Sequence, residues 1–161
     1  MNLILEGPKA SGKSTIAKHY IDVGYKYFHS NAETKNDLDY HMSLLNGDKR
    51  VIDRFSVGEI IYPTFYKREG KLNEEEFMET ISDENTIYVI LYSSDLKTLE
   101  DRIVKRDKGK HIDFEELKYS NKNFELVANK LKNYKNILIF DVTKYDAEYI
   151  CKEINYELGI V

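Results

Sequence analysis

One cysteine, two prolines and no tryptophan occur in 161 residues. The lone Cys151 excludes an intrachain disulfide, and no Cys/His cluster offers a structural zinc site. No apolar run approaches the roughly 18 residues needed to cross a bilayer. There is no internal repeat and no Pro- or Gly-rich linker, so residues 1–161 read as a single domain. Positive charge is not in excess either: 24 Lys and Arg face 28 Asp and Glu, for a net charge of −4. That balance argues against a dedicated binder of duplex nucleic acid, which carries an evident basic face. His19, His29, His41 and His111 lack metal-ligand spacing and read as structural or surface residues. The expected compartment is the cytoplasm. A cleaved leader is not expected, because it would remove the most informative motif in the chain.

What is present is the profile of a globular protein, 42% apolar and 32% charged. Short apolar runs alternate with helical periodicity. Strands are expected at Asn2–Glu6, Tyr25–Phe28, Arg50–Asp53, Thr86–Tyr92 and Ile137–Phe140. Helices are expected at Lys13–Asp22, at Thr34–Leu45 ahead of Asn46-Gly47, and at Val57–Lys67, where Pro63 should kink or break the run. Asn73 should cap a helix reaching about Ile81, and Ser94 or Asp95 one reaching about Arg106. A long helix from Asp113 to about Asn133 and a last one at Ala147–Leu158 complete the chain. Apolar strands alternating with helices give an α/β fold: a five-stranded parallel sheet covered on both faces, with ligands beyond the carboxyl ends of the strands.

Residues 7–14 read Gly-Pro-Lys-Ala-Ser-Gly-Lys-Ser, a full match to G-x-x-x-x-G-K-[ST] between a strand and a helix. The chemistry requires those types. Gly7 and Gly12 let the loop wrap, so that backbone N–H groups of Pro8's neighbours Lys9, Ala10 and Ser11 can face phosphate oxygens. The helix N-terminus adds its positive end. Lys13 can reach the β- and γ-phosphates, and Ser14, followed by Thr15, can ligate Mg²⁺. No Asn-Lys-x-Asp guanine-reading motif follows a late strand, which argues against a GTPase.

With Leu5-Glu6-Gly7-Pro8 and Asp53-Arg54-Phe55 in view, the sequence resembles the P-loop nucleoside and nucleotide kinases, most of all thymidylate kinases and deoxynucleoside kinases. Ser56–Lys67, with Glu59, Tyr62 and Tyr66, looks like the segment that follows the Asp-Arg motif in that family. The resemblance implies the three-layer P-loop NTPase fold, ATP and Mg²⁺. Asp53 would sit beside the P-loop and hold the metal's shell or orient the acceptor. Arg54 would hold the acceptor's phosphate or polarise the transferred group. A salt bridge at a strand end is the plain alternative for both. Lys9 stands where thymidylate kinases carry an acid, and residues 29–33 read His-Ser-Asn-Ala-Glu where they carry Arg-Glu-Pro. Glu33 is therefore either a sugar-binding carboxylate or an exposed acid. Phe55, Tyr62 and Tyr66 either border a nucleobase or pack the core. The acceptor is a nucleoside or a nucleoside monophosphate. A hydroxyl on a polynucleotide or modified base, and a non-catalytic nucleotide-binding module, are the alternatives. A homodimer is left open.

A basic stretch over residues 102–112 holds Arg102, Lys105, Arg106, Lys108 and Lys110. It falls after the strongest strand, across the nucleotide from the P-loop in a fold of this kind. Arg102 and Arg106, four apart, share a helix face and can converge on one anion. They suggest a lid that closes over the phosphates, with Arg106 as the transition-state cation and Arg102 beside it. The alternative is a solvated helix end.

Overall fold

The computed structural model describes residues 1–108 and 113–160. Five strands, β1 (Asn2–Glu6), β2 (Lys26–His29), β3 (Arg50–Asp53), β4 (Thr86–Tyr92) and β5 (Ile137–Asp141), form one sheet in the order β2-β3-β1-β4-β5. Every pairing is parallel, with Leu5 opposite both Asp53 and Val89. Seven helices lie among the described residues: α1 (Lys13–Asp22), α2 (Leu38–Leu45), α3 (Val57–Tyr66), α4 (Glu74–Thr80), α5 (Leu96–Asp107), α6 (Phe114–Leu131) and α7 (Ala147–Leu158). None is long and apolar enough to cross a membrane.

Alternation along the strands sorts the core into two layers. Leu3, Leu5, Val89 and Leu91 point to the face covered by α1, α5 and α7, where they meet Ile16, Leu99 and Ile150. Ile4, Ile52 and Ile90 point to the other face, against Ile61 of α3, Phe77 of α4 and Phe124 of α6. A sheet buried on both sides is why its strands are apolar nearly throughout.

Local chemistry sets the helix ends. Asn73 and Glu76 form a reciprocal capping box on α4, and Asp95, Asp113 and Asp146 cap α5, α6 and α7. Two expectations need correction. The second helix starts at Leu38, not Thr34, because residues 31–37 spend their polar groups locally. The Glu33 N–H donates to Asn31 Oδ1, Asn36 Nδ2 to the Asn31 carbonyl, and Asn36 takes a left-handed φ of 54°. The third helix runs unbroken through Pro63 and closes one turn later at Lys67, φ 51°. Proline removes one N–H, and its ring is buried within the helix that it was expected to break.

Candidate active site

The P-loop joins β1 to α1, and its glycines are there for different reasons. A Cβ on Gly7 would come within 2.7 Å of Ser11 Oγ and 2.9 Å of Leu91 Cβ. At Gly12 the space is open, but φ is 98°, a conformation that side chains disfavour. Lys9, Ala10, Ser11, Gly12, Lys13, Ser14 and Thr15 all line a cleft of about 490 Å³. Gly7 and Pro8 lie behind it and supply carbonyls. Lys13 is buried, and its Nζ donates to the Gly7 carbonyl at 2.7 Å and the Pro8 carbonyl at 2.8 Å. Burial draws its ammonium down to about 8, with the Asp53 carboxylate pulling the other way.

Asp53 ends β3 one strand from the P-loop and is 3% exposed. Its Oδ2 accepts from the Tyr27 hydroxyl at 3.1 Å and lies 3.7 Å from His29 Nδ1. Its Oδ1 is buried without a partner among the described residues. Ser14, by contrast, is exposed on the first turn of α1. An idle carboxylate oxygen and a free hydroxyl in one cleft suit Mg²⁺, which takes few protein ligands and fills its octahedron with phosphates and water. No group of three or more His, Cys, Asp or Glu poised to hold a metal occurs among the described residues.

After Asp53 the chain turns sharply. Arg54 has φ 69°, its N–H donates to the Leu5 carbonyl, and Glu6 fixes the rest. The Glu6 carboxylate accepts from the N–H groups of Phe55 and Val57, both at 2.9 Å through one oxygen. Burial pushes this carboxyl up to about 7, against those hydrogen bonds and the Lys13 ammonium. Glu6, which builds this turn, is the site-forming residue to which the sequence reading gave no role. Its signal was an acid at the end of an otherwise apolar strand. The turn leaves the Arg54 side chain lining both the P-loop cleft and a second cleft of about 210 Å³.

Tyr62 and Tyr66 border that second cleft, with Asn31 and Ala32 from the loop after β2, whereas Phe55 reaches it only at its edge and packs in the core against His41 and Tyr88. Glu33 is exposed and does not line it. Glu59, buried on α3, receives both Nη atoms of Arg68 at 3.1 Å and the Lys71 N–H at 3.2 Å. Tyr66 donates to Glu116.

The arginines come from α5, and both line the P-loop cleft. Arg102 donates to the carbonyls of Ala10 and Val142, each at 3.2 Å, tying the P-loop to the end of β5. Arg106 Nε donates to Asp107 at 2.8 Å, and Asp107 reaches Lys9 at 3.3 Å. The expected lid segment is therefore helical from Arg102 to Asp107. Its remaining part, Gly109, Lys110, His111 and Ile112, lies outside the described residues.

No protein-family model and no curated protein matches the sequence. Solved structures do. YorR from Bacillus subtilis, determined with phosphorylated GDP, superposes with a TM-score of 0.81 at 20% identity, over 99% of this chain and 96% of that one. A deoxyadenosine kinase from M. mycoides, determined with dCMP and dCDP as products, gives 0.62 at 17% identity over 99% and 98%. The fold is that of the P-loop kinases. Shikimate kinase from Acinetobacter baumannii shares this P-loop kinase fold at TM-score 0.61 and 14% identity, over 98% and 93% of the two chains. Such a spread of acceptors means that the P-loop kinase fold leaves the substrate to be argued from the site.

Proposed function

We propose that this chain transfers the γ-phosphoryl group of a Mg²⁺-bound nucleoside triphosphate to a nucleoside or nucleoside monophosphate. The observation that carries the reading is the pair of clefts meeting at Arg54. One is walled by backbone N–H groups, Lys13 and three arginines, Arg54, Arg102 and Arg106, a cradle for a polyanion. The other is walled by Tyr62 and Tyr66, with the edge of Phe55 behind them, which suit a planar base better than a polyol, and holds polar groups for a sugar. The nucleotide ligands of YorR and of the deoxyadenosine kinase support the same acceptor class.

Each residue then has a task. The P-loop N–H groups and Lys13 hold the β- and γ-phosphates, and Lys13 and Arg106 offset charge that grows on the transferred group. Ser14 and Asp53 would hold Mg²⁺, which supplies further neutralisation of the β- and γ-oxygens when bound. Arg54 spans donor and acceptor and fixes their approach, since phosphoryl transfer asks the protein mainly for alignment and charge. ATP is the donor implied by the family resemblance.

Steady-state turnover against a panel of nucleosides and monophosphates, with ATP and GTP as donors and shikimate as a control acceptor, tests this. Turnover should appear with a nucleoside or monophosphate, and Lys13→Ala should lower it by roughly 10³-fold or more with the fold intact by circular dichroism. Turnover by Lys13→Ala within about tenfold of wild type, or turnover confined to shikimate, would sink the proposal.

A further inference from the structure

The far end of the P-loop cleft, away from the phosphate cradle, is built by the loop between β5 and α7. Val142, Tyr145, Asp146 and Ala147 line it. Residues 143–146 read Thr-Lys-Tyr-Asp, which departs from Asn-Lys-x-Asp only in its first residue. They stand at the carboxyl end of β5, beside β4, on the same edge of the sheet as the P-loop.

This loop is held firmly. Asp141 Oδ1 accepts from the N–H groups of Ser94 and Thr143, and its carbonyl accepts from those of Lys144 and Tyr145, all at 3.0 Å. The N–H groups of residues 143–145 are thereby spent inside the turn. Thr143 Oγ1 lies 2.5 Å from Ser93 Oγ, pinning the loop to the end of β4. The Tyr145 ring stacks on Tyr149, with centroids 4.6 Å apart at 16°, and so presents a supported aromatic wall.

Asp146 and Asp53 are the two carboxylates lining this cleft among the described residues. Asp53 sits at the phosphate end. A second negative charge in a site for a polyanion is unfavourable unless it meets hydrogen-bond donors. Asp146 is exposed at the mouth of the cleft; its Oδ1 caps α7 through the Tyr149 N–H at 2.8 Å, which leaves Oδ2 without a protein donor among the described residues and open to a ligand. The Watson–Crick edge of guanine offers two adjacent donors, N1–H and the N2 amino group, to such an oxygen. Adenine offers an acceptor at N1, so a carboxylate there would face a lone pair.

We propose that Asp146 reads a guanine base, so that the cleft takes GTP or dGTP in preference to ATP. This rests on the P-loop being a triphosphate site, and the test separates the two. Calorimetry with Mg²⁺ and non-hydrolysable guanine, adenine and xanthine triphosphates, with inorganic tripolyphosphate as the base-free probe, is run on wild type and Asp146→Asn. Wild type should bind guanine over adenine by about tenfold or more. Asparagine caps a helix as well as aspartate does, so the melting temperature of D146N should match wild type. Its amide, however, replaces an acceptor with a donor. Guanine affinity should fall about tenfold or more, and xanthine affinity, with a carbonyl at C2, should rise. Equal binding of the two purines, tighter adenine binding, or an unchanged preference in D146N overturns the inference, and bound tripolyphosphate would then keep the triphosphate site standing. Failure of tripolyphosphate and every nucleotide to bind removes both.

Discussion

A buried acceptor left without a donor costs a folded protein roughly 1–3 kcal/mol, and Asp53 carries one in Oδ1. Its second oxygen is satisfied by Tyr27, so the idle one is not a consequence of a poor neighbourhood. Asp53→Asn should lower kcat by roughly 10²-fold or more and shift the Mg²⁺ midpoint upward, while nucleotide affinity changes only a few-fold. Metal titrations of turnover beside calorimetry check this. If kcat and the Mg²⁺ midpoint stay put, Asp53 serves only Tyr27 and His29. At this scale the P-loop was legible because its donors are contiguous in sequence. Asp53 and Arg54 were singled out because, beyond charge ending an apolar strand, Asp53-Arg54-Phe55 matches the Asp-Arg-aromatic motif of the family the sequence resembles. Glu6 was not, since its partners Phe55 and Val57 arrive from another strand's end. Asp146, proposed above to read a base, drew no notice because Thr143 leads its motif and the residue caps a helix.

Among the elements, α5 carries two arginines on one face that are engaged in different ways. Arg102 already bridges two backbone carbonyls, so it shapes the cleft before any ligand arrives. Arg106 is held by Asp107, a carboxylate that a phosphate can displace. Arg102→Ala should therefore weaken nucleotide binding about tenfold with kcat little changed, because it removes uniform binding. With Arg106 in its proposed role of transition-state cation, Arg106→Ala should lower kcat by roughly 10²-fold with a smaller change in affinity. Single-turnover kinetics with calorimetric affinities separate the two, and the opposite pattern would reverse their assignments. Periodicity located these helices well wherever an apolar stripe met a cap. It failed at residues 34–37, where Asn and Thr side chains form their own turn and outcompete a helix. It also overweighted Pro63, whose ring is buried one turn before the helix ends.

For the whole molecule, two buried titratable groups tilt stability in opposite directions with pH. The Glu6 carboxyl rises from 4.5 to about 7 on folding, through burial, so the folded chain holds its proton more tightly. Its contribution is complete below pH 4.5 and drains away as pH rises to about 7. His41, buried with both ring nitrogens unpartnered among the described residues, falls from 6.5 to about 4. Its contribution is complete above pH 6.5 and drains as pH falls toward 4. Glu6→Gln keeps an acceptor for Phe55 and Val57 and removes only the alkaline-side loss. Relative to wild type, it should gain on the order of 3 kcal/mol between pH 4.5 and pH 8. Urea unfolding at both pH values checks this, and parallel curves for the two proteins would contradict it. The five-stranded parallel sheet was legible from five apolar runs and the helices between them. The strand order was not, nor was the meeting of two clefts at Arg54, because both depend on which distant segments become neighbours.

Lys13 is not a bare charge, since the Gly7 and Pro8 carbonyls accept from its Nζ at 2.7 and 2.8 Å. Under the proposed function, arrival of a phosphate would be an exchange of partners, and departure the reverse exchange. The loop gives up part of the gross attraction between ammonium and phosphate, and in return no stranded cation opposes the product as it leaves. Without those two carbonyls, the same lysine would grip the spent nucleotide more tightly and slow the next cycle. Under the proposed function, the backbone of the P-loop would thus be a resting berth for its own lysine, and would keep binding weak enough to be repeated.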